Sequence, residues 1–150
     1  TKDLLTLLNS EICETASKGM FVTMMIGVYD SKKKEILLSN AGHEPPLILS
    51  DDGKFTNFTD SGPPLGIQKK IVYQEKILTF SASSMYIFTD GITEIKDTSG
   101  HMLGADGFKS FIKKHQKITN DLRLKNIIDD IISSGKTQRD DLTILVVDGN

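Results

Sequence analysis

A chain of 150 residues with 38% apolar and 25% charged side chains has the size and balance of one soluble globular domain, spanning 1–150. Its formal net charge of −2, with acids and bases interspersed, excludes a basic nucleic-acid surface, and no apolar run approaches a membrane span. Cys13 is the only cysteine, so no intrachain disulfide forms, and with no signal peptide this fits a reducing, cytoplasmic compartment. The sequence opens at Thr1 directly on a helical pattern and reads as a piece of something longer.

Leu4, Leu5, Leu8 and Ile12 recur at helical spacing and predict an amphipathic helix over 3–16, ended by Ser17-Lys18-Gly19. On that helix Cys13 reads as a small buried or half-buried residue rather than a nucleophile. Phe21–Tyr29 is rich in Val, Ile, Met and aromatics and predicts a strand. Asp30-Ser31-Lys32-Lys33-Lys34 turns the chain, and Glu35–Ser39 returns as the second strand of a hairpin. The lysine run reads as a solvated hairpin tip. Asn40-Ala41-Gly42-His43-Glu44-Pro45-Pro46 combines prolines with a glycine and predicts a shaped loop.

Leu47-Ile48-Leu49 and Phe55-Thr56-Asn57-Phe58 flank Asp51-Asp52-Gly53, another hairpin signal. Gly62-Pro63-Pro64-Leu65-Gly66 is a second rigid loop. Strands are expected over Ile71–Phe80 and Ser83–Thr89. Phe108, Phe111, Ile112 and His115 share one helical face, and Leu124, Ile127, Ile128, Ile131 and Ile132 share another, on a helix capped by Asn120 or Thr119. Ser133–Arg139 is a polar loop. Leu142–Val147 is nearly continuous in apolar residues and predicts a strand buried on both faces. Hairpins dominate, so the sheets should be mainly antiparallel with helices on their outer faces: a layered α+β sandwich.

Chemistry concentrates at Tyr86-Ile87-Phe88-Thr89-Asp90-Gly91-Ile92-Thr93-Glu94, where β-formers run into a carboxylate followed by glycine. This is either an ordinary Asp-Gly turn or a carboxylate held at a strand end, with a glycine that admits a ligand or metal to the backbone. Arg139-Asp140-Asp141-Leu142 precedes the last strand. If the two strands are antiparallel neighbours, Asp90 meets Asp140 and Asp141 at one sheet edge. Clustered carboxylates repel unless a cation lies between them, and their oxygens suit Mg²⁺ or Mn²⁺, ions that activate water and neutralise a phosphoryl group. The competing reading of Asp140 and Asp141 is a cap on the turn before the strand. His43 could reach a phosphate or act as a general acid, or could tie its loop by ring hydrogen bonds. His101 reads as a loop residue and His115 as a helix-surface residue. Glu94 reads as local support for the Asp90 turn. Arg139 could hold a phosphate or a neighbouring acid.

Five motifs occur in one order: Phe21-Val22-Thr23…Gly27…Asp30, Asn40-Ala41-Gly42-His43-Glu44-Pro45-Pro46, Gly62-Pro63-Pro64-Leu65-Gly66, Phe88-Thr89-Asp90-Gly91-Ile92-Thr93-Glu94 and Asp140-Asp141-Leu142-Thr143-Ile144-Leu145-Val146. Together they resemble the bacterial stage II sporulation E/sigma-regulator branch of the metal-dependent, type 2C-like Ser/Thr phosphatases, over essentially the whole chain. The resemblance implies an α-β-β-α sandwich with a Mn²⁺ or Mg²⁺ pair, whose bound water attacks a phosphoserine or phosphothreonine in line. It implies that Asp90 and Asp140 are metal ligands and catalytic, with Asp141 beside them as a further metal-site carboxylate. It implies phosphorylated anti-sigma-factor antagonists as substrates.

The family's earlier Gly-Asp-x-x-Asp-type and Asp-x-x-Gly-x-Gly motifs, expected to carry the metal-bridging Asp, do not occur ahead of the first helix. The expectation is therefore an N-terminally truncated domain with an incomplete site, weak metal binding and little or no activity by itself. An upstream sensor domain in a longer chain and homodimerisation through unpaired sheet edges are further expectations. The alternatives are a non-catalytic, phosphatase-like interaction module, and a hydrolase of small phosphate esters.

Overall fold

The computed structural model describes residues 1–17, 19–97, 99–133 and 141–149. In chain order the elements are α1 (Lys2–Thr15), β1 (Met24–Asp30), β2 (Glu35–Ala41), β3 (Leu47–Ser50), β4 (Phe55–Asn57), β5 (Lys76–Thr79), β6 (Ser83–Phe88), α2 (Asp90–Thr93), α3 (Gly104–Lys114), α4 (Asn120–Ser133) and β7 (Ile144–Gly149). Residues Thr1–Pro45, Phe58–Ser83 and Gly149 form one compact unit, and Pro46–Asn57 with Ser84–Asp148 form another.

The first unit carries the sheet β1-β2-β5, antiparallel at both pairings. Asp30 builds its hairpin: Oδ1 accepts the backbone N–H groups of Lys32 at 2.9 Å and Lys33 at 3.1 Å. Lys34 completes the turn at φ 54°, which lets Asp30 pair with Glu35. The core gathers Leu5, Ala41, Leu65 and Tyr73, with Leu8, Ile12, Met24, Ile26 and Ile71 around them.

α1 presents a different face from the expected one. Leu4 is exposed, while Asn9 is fully buried. Asn9 accepts the N–H of Gly66 at 2.9 Å and donates to the carbonyl of Gln68 at 3.0 Å. A buried amide with both ends satisfied takes the place that spacing assigned to a leucine. Cys13 is half-buried one turn further on, with its thiol 3.8 Å from Asn9 Oδ1.

Three strands of this unit depart from their expected bounds, as does β7 of the other unit, which runs Ile144–Gly149 rather than Leu142–Val147. β1 starts at Met24, because Val22 pairs instead with Leu65 through two backbone bonds of 3.0 and 2.8 Å, and Phe21 is exposed. β2 continues through Asn40 and Ala41 into the motif read as loop. Of Ile71–Phe80, only Lys76–Thr79 is strand, since β5 finds partners only along Glu35–Leu38.

The second unit carries the sheet β4-β3-β6-β7 and its own core of Leu47, Leu49, Tyr86, Phe88, Ile92, Ile95, Phe108, Ile112, Ile127 and Ile131. α3 contributes Phe108 and Ile112, and the Phe108 ring meets Phe88 edge to face at 4.9 Å. α4 contributes Ile127 and Ile131, while Ile132 points to solvent at 60% exposure. His115 is buried rather than on the helix surface, because its Nε2 lies 2.7 Å from Asp130 Oδ2 on α4. β7 is not buried on both faces: it ends the strand order, so Leu145 is 54% exposed. The first unit combines α1, and the second α2, α3 and α4, with a mainly antiparallel sheet, the α+β class expected from the hairpins.

Candidate functional site

Tyr86 and Phe88 anchor β6 in the core of the second unit, so the strand delivers Thr89 and Asp90 at its end with little freedom. Thr89 is extended, at φ −83° and ψ 158°, and the chain then coils into the single turn α2. The N–H of Ile92 bonds the carbonyl of Thr89 at 3.0 Å. The carbonyl of Asp90 accepts the Glu94 N–H at 2.9 Å and the Thr93 hydroxyl at 3.0 Å. With its backbone held in this way, Asp90 leaves its carboxylate exposed.

β7 approaches from the other side. Ser84 bonds Asp148 at one end of the pair and Thr89 bonds Thr143 at the other, so β6 and β7 are antiparallel neighbours. The Thr89 N–H donates to the Thr143 carbonyl at 3.2 Å, and the Thr89 hydroxyl accepts the Thr143 N–H at 3.2 Å. The same hydroxyl donates to the carbonyl of Asp141 at 3.2 Å. Gly91 then packs directly on that carbonyl, and a β-carbon there would also lie 3.4 Å from Leu142 Cδ2. Thr89 and Gly91, on either side of Asp90, therefore both hold the backbone of Asp141. The strand ends meet as inferred from the sequence, with Asp141 against Thr89 and Gly91 on either side of Asp90. Asp140 and Arg139 lie outside the described residues.

Asp141 is exposed, as Asp90 is. Two solvent-facing carboxylates on adjoining backbone suit a hard divalent cation that keeps much of its water shell, which is how Mg²⁺ commonly binds. Among the described residues there is no group of three or more His, Cys, Asp or Glu placed to hold a metal.

The remaining candidates have structural partners. In the first unit, Asn40 closes the His43 turn from both sides: its Oδ1 accepts the His43 N–H and its Nδ2 donates to the His43 carbonyl, each at 2.9 Å. The His43 ring Nδ1 lies 3.0 Å from the Glu44 carbonyl, so the loop-tying bond is present. Gly42, at φ +72°, packs against Pro64. Tyr73 secures that second loop by donating to the Pro63 carbonyl at 2.9 Å. His101 is an exposed loop residue, as expected, with its backbone N–H on Asp97 Oδ1. The Glu94 backbone N–H bonds the Asp90 carbonyl, and the residue is exposed.

Sequence reasoning passed over Thr89, whose hydroxyl ties the two strand ends, and Arg123, which is buried on α4 against Asp148. A threonine immediately ahead of the carboxylate was a visible signal for the first. An arginine within an apolar helical face was one for the second.

The profile of the stage II sporulation protein E family matches residues 1–150. The chain is 28% identical to phosphoserine phosphatase RsbU of Bacillus subtilis (strain 168) over 143 residues, covering 93% of this chain and 42% of that protein. It thus spans less than half the length of this curated relative. Among solved structures, it resembles the SiaA-PP2C domain of Pseudomonas aeruginosa with a TM-score of 0.82 at 15% identity, over 99% of this chain and 61% of that one. It also resembles the Mn-presoaked phosphatase domain of SpoIIE from Bacillus subtilis, with a TM-score of 0.72 at 16% identity, over 99% of this chain and 65% of that one. At such identities the structural likeness is one of fold, and the α+β arrangement is that of PP2C phosphatase domains. Matched along its whole length, the chain belongs to the stage II sporulation protein E family, in the sigma-regulator branch of the type 2C-like phosphatases.

Proposed function

We propose that residues 1–150 act as one phosphatase-like domain of a Mn²⁺- or Mg²⁺-dependent protein serine/threonine phosphatase. The substrate is a phosphoserine or phosphothreonine on a cytoplasmic regulatory protein of the anti-sigma-factor antagonist type. The observation that carries this reading is the double hold on Asp141, by the Thr89 hydroxyl and by Gly91, which sets it beside Asp90 in a chain matched throughout to the family.

In this reading Asp90, Asp140 and Asp141 hold the cation. A bound divalent cation supplies charge for the phosphoryl oxygens and acidity for the attacking water. The protein's own part is to bind and to orient. The backbone bonds of α2 fix where Asp90 leaves the chain, and Thr89 fixes the lead-in to β7. Three carboxylates leave most of a hard cation's shell to water, so binding by these residues alone is weak and turnover low. A longer chain with an upstream sensor segment is the expected active form. The alternative is a non-catalytic, phosphatase-like interaction module.

The test compares this chain with an N-terminally extended one, in Mn²⁺, on a phosphoserine peptide. Activity in the extended chain that is lost in Asp90→Asn or Asp140→Asn supports the phosphatase. An extended chain that binds a partner and never turns over sinks it in favour of the interaction module. Equal turnover of free phosphate esters and phosphoprotein redirects the assignment to a small-molecule hydrolase.

A further inference from the structure

We propose that Arg123 is a positioning residue of this site: paired with Asp148, it locks the register of β7 on β6 and so places Asp141 beside Asp90. The metal arm of the test rests on the functional reading above, and the register arm does not.

The need for a lock follows from the composition of β7. The strand ends the sheet order, so among the described residues β6 is its one strand neighbour. Leu142, Ile144 and Val146 pack on the core, while Leu145 is exposed and Val147 half-buried. Both faces are therefore apolar. A slip of one residue would present Leu145 and Val147 to the core with nearly the same chemistry. Hydrophobic patterning, which normally specifies register, discriminates poorly here. Each residue of slip would carry Asp141 about 3.3 Å along the strand and turn it to the other face.

Polar contacts must then decide, and they lie at the two ends of the pair. Thr89 and Thr143 form one. At the other, Arg123 reaches from α4 with its side chain only 6% exposed. Its Nη2 donates to both carboxylate oxygens of Asp148, at 2.6 and 2.9 Å, and its Nη1 donates to Ser84 Oγ at 3.1 Å. The Ser84 hydroxyl donates in turn to Asp148 Oδ1. The guanidinium also lies 5.7 Å from the centre of the Tyr86 ring. One residue of β6, one of β7 and one of α4 are thus joined by a planar fork that tolerates little displacement. Buried ion pairs add little net stability over apolar replacements, and their best-attested use is to specify register.

The discriminating variant is the double replacement Arg123→Met/Asp148→Leu in the chain, which removes both charges and keeps the apolar volume. The readouts are the nuclear Overhauser contact between the Thr89 and Thr143 amides and Mn²⁺-induced broadening of the Asp90 and Asp141 amide signals. The expected double variant melts at or above the wild-type temperature, shows the Thr89–Thr143 contact at less than half its intensity, and needs at least tenfold more Mn²⁺ to broaden Asp141. Arg123→Lys, which keeps charge without the fork, should fall between. A double variant that keeps the full contact, or one that unfolds and so shows the pair to be a plain stability element, overturns the proposal. Loss of the contact in a chain whose wild type binds no Mn²⁺ leaves the register lock standing and removes the metal reading alone.

Discussion

The carbonyl oxygen of Asp141 fills the space that a β-carbon on Gly91 would need. Gly91 is not among the positive-φ glycines, so glycine is required there for close approach rather than for backbone freedom. The obstruction is backbone, and the Thr89 hydroxyl holds it in place. Gly91→Ala should therefore destabilise the second unit by about 1–3 kcal/mol, as overpacking does in close-packed sites. A thermal melt checks the stability. A Mn²⁺ titration checks whether displacing Asp141 also weakens metal binding.

Asp90 gives the opposite signature. It and Asp141 are exposed, and Asp90→Asn should change stability by no more than about 0.5 kcal/mol. If Asp90 and Asp141 hold a cation, the Asn variant of each should bind it less tightly. Unchanged Mn²⁺ affinity in both variants would remove them from the proposed site.

In the first unit, Asn40 and His43 separate two kinds of support. Asn40 is buried and makes two bonds to the His43 backbone, whereas the His43 ring makes one to the Glu44 carbonyl. Asn40→Ala leaves the half-buried N–H and carbonyl of His43 without these partners and should cost about 1–3 kcal/mol, against about 1 kcal/mol or less for His43→Ala. Urea unfolding of the two variants measures the difference. A larger loss of phosphatase activity than of stability in His43→Ala would return the ring to a role in chemistry.

Asp130 joins α3 and α4 and should give stability a recognisable pH dependence. Hydrogen bonds from Lys114, and then from His115, hold its carboxyl below the ordinary aspartate value. A depressed folded-state value means that the contribution is fully present above the unfolded-state value of about 3.9 and is lost as pH falls through the folded-state value. The gap in urea midpoint between wild type and Asp130→Asn should be full above about pH 5 and should close below about pH 4. A gap independent of pH would show that the charge of Asp130 does not matter.

α4 tests the packing assignment. Ile127 is fully buried and Ile132 is exposed, although both fall on the face drawn from spacing. Ile127→Ala should cost about 2–5 kcal/mol through lost burial and a residual cavity. Ile132→Ala should stay within about 0.5 kcal/mol. Equal losses in thermal melts would refute this assignment of the α4 face.

Much of this protein was legible in the residues themselves, because period and punctuation are local. The hairpin at Asp30–Glu35 follows from a carboxylate that bonds the next turn amides, and the one at Leu47–Asn57 from Asp51-Asp52-Gly53 between apolar runs. Order and chemistry together placed Asp90 at a strand end and pointed to its meeting with the segment before the last strand. Edges and partners were not legible. Leu142–Val147 has the composition of a strand buried on both faces, and only its place at the end of the sheet leaves Leu145 in solvent. Periodicity likewise ranked Leu4 above Asn9, and His115 was read as a helix-surface residue although its spacing put it on the face of Phe108 and Ile112. Periodicity cannot register a backbone amide of Gly66 or a carboxylate of Asp130 that arrives from elsewhere in the chain. Hydrophobic period is a property of neighbours in sequence and determined the elements and the class of fold. The satisfaction of buried polar groups depends on neighbours in space, and only the tertiary structure decided that Thr89, Gly91 and Asp141 meet.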